Sequence, residues 1–211
     1  MSAATLQYAD KNNGAGTKVV SLNSVTVNDG NGGANYVVSY VDNTTSTITP
    51  KSLTATYNAS SRTYNSSTTA VVTGSSSDVI SGDAVSFSNT SANFGSKDVG
   101  IGKTVTVSGI GIGGADSGNY TLQNTTATTT ADISAKSLTA SFSAASRAYN
   151  GGVAASVTGS SGDIVGSDVV TFTTHSANFD TKDVGTGKVV SVAGIGLSGA
   201  DAGNYILQNT A

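Results

Sequence analysis

The feature that most constrains the fold is a long internal repeat. Residues 109–124 read GIGIGGADSGNYTLQN and return 85 residues later, at 194–209, as GIGLSGADAGNYILQN. The register holds without a gap from Lys51 and Lys136 onward, and more than half of the aligned positions are identical. A repeat of this length is a whole small domain rather than one turn of a solenoid. The chain therefore carries copies of a domain in tandem.

The repeat divides the chain of 211 residues into three predicted segments. Residues 1–48 resemble the C-terminal part of a preceding repeat, because residues 8–20 match residues 94–106. This match is looser than the match between the two later repeats. Residues 49–133 form a complete repeat. Residues 134–211 form a second repeat that lacks the counterpart of the last strand of the first.

Composition and alternation favour short strands over helices. Gly, Ser, Thr, Asn, Ala and Val dominate, whereas Glu and Trp are absent and there is a single Pro. Leu53, Ala55 and Tyr57 share one face of an alternating segment, and about six further segments of this kind follow in each repeat. About seven short strands in 85 residues predict an elongated all-β chain of tandem immunoglobulin-like antiparallel β-sandwich repeats.

Charge and hydropathy exclude two classes of partner. The net charge of −3 provides no basic face for a nucleic acid. No apolar run approaches the roughly 18 residues that a membrane span needs. Cysteine is absent, which suits an exported protein that stays unfolded until it is outside the cell. We therefore predict neither a nucleic-acid partner nor a membrane span.

Asp116 and Tyr120 stand in an Asp-Ser-Gly-Asn-Tyr run before an alternating strand, and Asp201 and Tyr205 occupy the same places in the second repeat. Immunoglobulin-like domains carry a tyrosine corner at such a position, where the tyrosine hydroxyl bonds back to upstream backbone. We predict that these four residues form structural tyrosine corners. A ligand site is the alternative interpretation.

Several segments of the first repeat, most of which recur in the second, carry a family resemblance. They read KSLTA at 51–55, RTYN at 62–65, SGDAV at 81–85, NFGSKDVGIGK at 93–103 and GADSGNYTL at 114–122. These segments resemble the YDG repeat and its relatives, the glycine-rich "mostly β" repeats. The eponymous Tyr-Asp-Gly reads Tyr64-Asn65-Ser66 here and Tyr149-Asn150-Gly151 in the second copy. Asparagine suits such a turn as well as aspartate does.

The resemblance implies a structural function outside the cell. YDG repeats occur in tandem in very large exported bacterial adhesins of the filamentous-haemagglutinin type, which two-partner systems secrete, and they bring no catalytic residues with them. We expect the stalk or the fibre-forming segment of a cell-surface or biofilm-matrix adhesin. Its partners would be neighbouring repeats, and other copies of the chain if residues 44–48 are exchanged as a strand to build a filament.

A carbohydrate-binding module is the second hypothesis for the same repeats. Its ligand would be an exopolysaccharide or a host glycan. Sugar sites use exposed aromatic rings, and the aromatic side chains outside the predicted core are Tyr40, Tyr64 and Tyr149.

No set of residues forms a catalytic or cofactor pattern, so we predict that the protein is not an enzyme. The Gly-x-Gly-x-x-Gly run that begins at Gly109 is followed by a strand, whereas a dinucleotide site needs a helix there. His175 is the only histidine and is replaced by Thr90 in the first repeat, which leaves no histidine-based nucleophile system.

Four aspartates are the candidates for a metal. Asp78 and Asp83 lie five residues apart in a Ser/Gly-rich loop, and Asp163 and Asp168 repeat the pair. Calcium takes six to eight oxygen ligands, often from several carboxylates. We expect no cofactor, with these residues as turn-capping aspartates and calcium as the alternative.

Overall fold

The protein is all-β, as the sequence predicts. The structure, a computed structural model, describes residues 5–211, in which 46% of the chain is strand and no helix reaches seven residues. The only helical segments in that range are the single 3-10 turns Ser117–Asn119 and Ala202–Asn204. No helix among the described residues is long and apolar enough to cross a membrane.

Short strands follow one another along the whole described chain. The N-terminal segment contains β1 (Thr5–Tyr8), β2 (Gly14–Ser24) and β3 (Asn43–Ile48). The first repeat contains β4 (Lys51–Leu53), β5 (Thr56–Ala59), β6 (Arg62–Thr63), β7 (Val72–Ser75), β8 (Ser86–Ser88), β9 (Ser91–Phe94), β10 (Gly100–Ser108), β11 (Gly111–Gly113), β12 (Tyr120–Leu122) and β13 (Thr126–Ser134). The second repeat contains β14 (Lys136–Leu138), β15 (Ser141–Ala144), β16 (Val157–Ser160), β17 (Thr171–Thr173), β18 (Ser176–Phe179), β19 (Val190–Ala193), β20 (Gly196–Ser198) and β21 (Tyr205–Leu207).

The chain forms two compact units, and each unit combines parts of adjacent sequence segments. The first comprises the described residues up to 57 together with 73–90 and 107–127. It holds the antiparallel sheet β1-β2-β3, the antiparallel pair β8-β11 and the parallel pair β4-β12. Because the units cut across the sequence repeats, the boundaries after residues 48 and 133 stay a prediction.

The second unit comprises residues 58–72, 91–106 and 128–211. Its largest sheet has the strand order β6-β13-β10-β9, and the second repeat contributes the pairs β14-β21, β15-β16, β17-β20 and β18-β19. Strand β19 has four residues whereas its counterpart β10 has nine. Within residues 5–211, β19 pairs only with β18, whereas β10 pairs with both β9 and β13.

The prediction of antiparallel pairing is wrong for three pairs of strands, which are parallel. Strand β12 runs parallel to β4, β13 to β6, and β21 to β14. Parallel strands need a long connection, and here almost the whole repeat separates the two strands of each pair. Alternation along a strand tells which side chains share a face but does not tell the direction of the neighbouring strand.

The core consists of aliphatic and aromatic side chains, most of them at alternating positions of the strands. Val105 and Val107 lie on one face of β10 and are fully buried, as are Leu53 and Leu138 in equivalent strands of the two repeats. Ile133 in β13 is 1% exposed, whereas Ile101 in β10 is 92% exposed. Because the core is so thin, each of these side chains carries a large share of its stability.

An asparagine at the end of the repeated segment closes the edge of each core. The Asn124 amide accepts a hydrogen bond from the backbone N of Ala55 at 2.9 Å and donates one to its carbonyl at 3.0 Å. Asn209 binds Ala140 in the same way, at 2.8 and 3.0 Å. The side chain therefore satisfies both backbone groups of a buried alanine that would otherwise lack partners.

The thin core makes a prediction about two isoleucines in one sheet. Ile133→Ala should lower the free energy of unfolding by about 2–4 kcal/mol, because it leaves a cavity where few neighbours can close it. Ile101→Ala, at an exposed position of β10, should change it by less than about 0.5 kcal/mol. Urea denaturation followed by circular dichroism measures both, and equal losses would contradict this account of the core.

Candidate functional site

The repeated Gly-Ala-Asp segment forms a tight corner that packs against the loop before β8. Gly114 has φ +99°, and a Cβ at this position would lie 2.3 Å from the carbonyl oxygen of Ala84. Only glycine fits such an approach. Asp116 then accepts a hydrogen bond from the backbone N of Ala84 at 2.8 Å, and its own N donates to the Ala84 carbonyl at 3.1 Å. The corner is therefore fixed by backbone contacts and one carboxylate.

Tyr120 closes this corner with its hydroxyl. The hydroxyl accepts a hydrogen bond from the backbone N of Ile80 at 2.9 Å and donates one to the carboxylate of Asp83 at 2.7 Å. In the second repeat the Tyr205 hydroxyl has equivalent partners, Val165 and Asp168, at 2.9 and 2.7 Å. The bond to upstream backbone is the one that defines a tyrosine corner.

The two corners each consist of two aspartates, an asparagine and a tyrosine. The first corner is Asp83, Asp116, Asn119 and Tyr120, and the second corner is Asp168, Asp201, Asn204 and Tyr205. Asp116 and Tyr120 do not bond to each other. Instead the 3-10 turn between them presents both side chains to the same loop, where Asp83 completes the cluster.

A lysine from the preceding segment binds the aspartates of each corner. Lys97 lies 2.8 Å from Asp168 and 2.7 Å from Asp201, measured from Nζ to the nearest carboxylate oxygen. Lys11 lies 2.6 Å from Asp83 and 3.1 Å from Asp116. Neither lysine belongs to a local motif that predicts a site, although both occupy matching places when residues 8–20 are aligned with 94–106.

The corner asparagine binds the residues that follow each lysine. Asn204 accepts a hydrogen bond from the backbone N of Val99 at 2.9 Å and donates one to Asp98 at 3.4 Å. In the first corner, Asn119 accepts from the backbone N of Asn13 at 2.8 Å and donates to the Asn12 side chain at 3.1 Å. The same contacts therefore recur one repeat apart.

Tyr64 adds an aromatic contact to the second corner. Its hydroxyl donates to Asp168 at 2.7 Å, and its ring meets the Tyr205 ring edge-on with centroids 5.6 Å apart. Tyr64 is 2% exposed, so the prediction that it offers an exposed ring to a sugar is wrong. Its counterpart Tyr149 is 59% exposed and Tyr40 is 45% exposed.

The charges of the second corner shift its pKa values strongly. Burial raises the pKa of Asp168, but hydrogen bonds from Lys97, Tyr205 and Tyr64 outweigh it and lower the pKa to about 2. Lys97 lowers the pKa of Asp201, and the two aspartates raise the pKa of Lys97 above its ordinary value. Burial raises the pKa of Tyr205 to about 12. The cluster is therefore ionised as two carboxylates and one ammonium at neutral pH.

The YDG domain family matches residues 49–131 and matches again over residues 134–211. The chain belongs to the YDG domain family. Neither a curated protein nor a solved structure matches it. YDG domains are a non-catalytic family, which agrees with the prediction that the protein is not an enzyme.

The YDG turn presents the tyrosine that reaches the second corner. Arg62 hydrogen bonds to Asn65 and to the carbonyl of Ser67, and its guanidinium lies 5.1 Å from the centroid of the Phe94 ring. Asn65 also accepts from the backbone N of Ser67 at 3.1 Å, as aspartate would. Ser66 has φ +65° and Gly151 has φ +79° in the second copy, which explains why glycine suits the third position.

The predicted calcium candidates do not share a site. Asp78 accepts a hydrogen bond from the backbone N of Thr54 at 2.9 Å, and Asp163 accepts one from Thr139 at 2.9 Å. Asp83 and Asp168 instead belong to the corners. In residues 5–211 no group of three His, Cys, Asp or Glu side chains is placed to hold a metal ion. The arrangement therefore does not fit the ligand set that calcium requires.

The first corner makes a prediction about Tyr120. Tyr120→Phe should lower the free energy of unfolding by about 1 kcal/mol, because the backbone N–H of Ile80 and the carboxylate of Asp83 each lose a hydrogen-bond partner. Tyr36→Phe, at a residue that is 59% exposed, is the matched control and should leave it unchanged. Urea midpoints measure both variants. A Tyr120→Phe protein as stable as the unchanged chain would contradict a structural role.

The second corner makes a prediction about pH. The pKa of Asp168 lies near 2 in the folded chain, whereas its ordinary value is 3.8. The ionised carboxylate therefore stabilises the fold fully above pH 3.8, and this stabilisation is lost as the pH falls towards 2. The urea midpoint should therefore fall between pH 5 and pH 2, and it should fall less in Asp168→Asn. Asp183→Asn, whose side chain is 74% exposed, should keep the pH profile of the unchanged chain.

Proposed function

We propose that the chain is a spacer segment of a bacterial cell-surface or biofilm-matrix adhesin, built from elongated tandem immunoglobulin-like β-sandwich repeats of about 85 residues. The observation that carries the proposal is the second corner, where Lys97 and Tyr64 of the first repeat bind Asp168 of the second. A stalk needs successive repeats that do not swivel freely. Contacts of this kind restrict such rotation.

The connection between the repeats supports the same function. Strand β13 ends at Ser134 and β14 begins at Lys136, so Ala135 alone lies between strands of the two repeats. Tyr64 is tied to this connection, because its backbone N donates to the Ser134 carbonyl at 2.8 Å. A linker of one residue leaves little freedom for independent movement of the repeats. Export and surface display rest on the resemblance of these repeats to those of exported adhesins.

Residual dipolar couplings test the spacer function. Amides of residues 91–106 and 128–134 should fit one alignment tensor together with the amides of the second repeat. The double variant Lys97→Ala, Tyr64→Ala should require two tensors, because it removes the charged and the aromatic contact. Lys188→Ala is the matched control, since Lys188 binds Asp180 and Thr181 within its own repeat. Two tensors in the unchanged chain would contradict a spacer.

Carbohydrate binding is the second candidate, and one exposed ring favours it. Tyr149 lines an open groove of about 400 Å³ together with Arg147 and Lys182. An exposed tyrosine beside cationic donors suits an acidic polysaccharide. A glycan array probed with the unchanged chain and with Tyr149→Ala decides between the candidates. Binding that depends on Tyr149 would favour the carbohydrate module.

A further inference from the structure

The second repeat exposes the same side chains that, in the first repeat, bind the following corner. We call this surface the end face. Tyr149 is 59% exposed, and the side chains of Lys182 and Asp183 are 56% and 74% exposed. The end face comprises Arg147, Tyr149, Lys182, Asp183 and Val184, the counterparts of Arg62, Tyr64, Lys97, Asp98 and Val99.

The end face is already arranged for binding without a partner. Arg147 hydrogen bonds to Asn150 and to the Gly152 carbonyl, and it lies 5.2 Å from the centroid of the Phe179 ring. The equivalent arginine of the first repeat makes the same contacts, with a ring distance of 5.1 Å. The turn that carries the tyrosine is therefore preformed in both repeats, so little ordering entropy opposes binding.

The lysine of the end face is also in place. Lys182 lies 6.0 Å from the centroid of the Tyr149 ring, and Lys97 lies 5.8 Å from that of Tyr64. Lys182 forms an ion pair with the exposed carboxylate of its neighbour Asp183, at 3.7 Å. Lys97, by contrast, has two carboxylates within 2.8 Å. Within residues 5–211 the end face thus presents a cation and a phenol without the pair of corner aspartates that binds their counterparts.

The chemistry of the missing partner follows from the occupied corner. The partner must offer two carboxylates to one ammonium, and one of these carboxylates must also accept a hydrogen bond from a phenol hydroxyl. It must also offer an amide oxygen that accepts a hydrogen bond from a backbone N–H. We propose that the end face docks the aspartate–tyrosine corner of a further YDG repeat, with Lys182 between its two aspartates and Tyr149 on its tyrosine. This deepens the spacer function, on which it rests, by naming the surface through which repeats join.

Both corners of this chain already hold a lysine, Lys11 in the first and Lys97 in the second. A second copy of the chain would have to displace one of them in order to dock. The partner is therefore a repeat whose corner is free, such as one that continues the chain in register.

A lengthened chain provides that partner. A second copy of residues 127–211 is joined directly after Ala211, the counterpart of Thr126, so that the register of 85 residues continues. The added copy then brings a free corner, with its own equivalents of Asp168 and Asp201. Lys182→Ala should lower the urea midpoint of the lengthened chain and leave that of the original chain unchanged. Lys188→Ala should have the same effect in both chains.

Nitration of tyrosine by tetranitromethane gives a readout that does not depend on stability. In the original chain Tyr149 should react about as fast as Tyr36, since both are 59% exposed. In the lengthened chain Tyr149 should react at least about tenfold more slowly, because docking buries the ring as it buries Tyr64. Mass spectrometry of tryptic peptides measures each rate.

Two results would overturn the docking proposal. One is an equal Tyr149 nitration rate in both chains together with equal effects of Lys182→Ala. The other is protection of Tyr149 in the original chain by a polysaccharide from the glycan array, which would assign the end face to sugar. The alignment measurement at the Lys97 contact uses other residues, so a failure of the spacer function and a failure of the docking can be told apart.

Discussion

The buried carboxylate of Asp168 requires hydrogen-bond and charge partners, and the second unit provides them from two repeats. Its side chain is 2% exposed, and a buried charge is costly unless it is paired and hydrogen-bonded. Its own repeat supplies only the Tyr205 hydroxyl, whereas Lys97 and Tyr64 come from the repeat before. The second corner is therefore complete only when the two repeats meet. Removing either partner would leave the charge buried and poorly satisfied.

Comparison with the first corner indicates what Tyr64 adds to the second corner. Lys11 binds Asp83 and Asp116 as Lys97 binds its pair, but among residues 5–211 no tyrosine contacts the first corner as Tyr64 contacts the second. Lys11 is 63% exposed and Lys97 only 34% exposed, at their side chains. The ring therefore shields the ion pair from water, and shielding strengthens an ion pair that would contribute little at an open surface.

Much of the fold follows from local sequence, and the rest depends on partners that local sequence does not reveal. Alternation predicts the strands and the Asp-x-Gly-x-Tyr run predicts the hydroxyl bond of Tyr120, because both are local features. Tyr64 and Tyr149 have nearly the same neighbours in sequence, yet one is 2% and the other 59% exposed. Tyr64 contacts the second corner, whereas Tyr149 contacts no corner among the described residues. The parallel pairs were missed for the same reason, since pairing is a property of distant segments.

The strands of one repeat also depend on contacts with the neighbouring repeat, as the side chains do. Strand β13 pairs with β6 and β10 in the first repeat, and one residue later the chain enters β14, which pairs with β21 of the second. In the described part of the second repeat, β19 has only four residues and the segment equivalent to β6 forms no strand. A repeat thus gains part of its sheet from the segment that leads into its neighbour. The folding free energy of each repeat then depends in part on its neighbour. In such arrays the interfaces between repeats determine how far unfolding spreads.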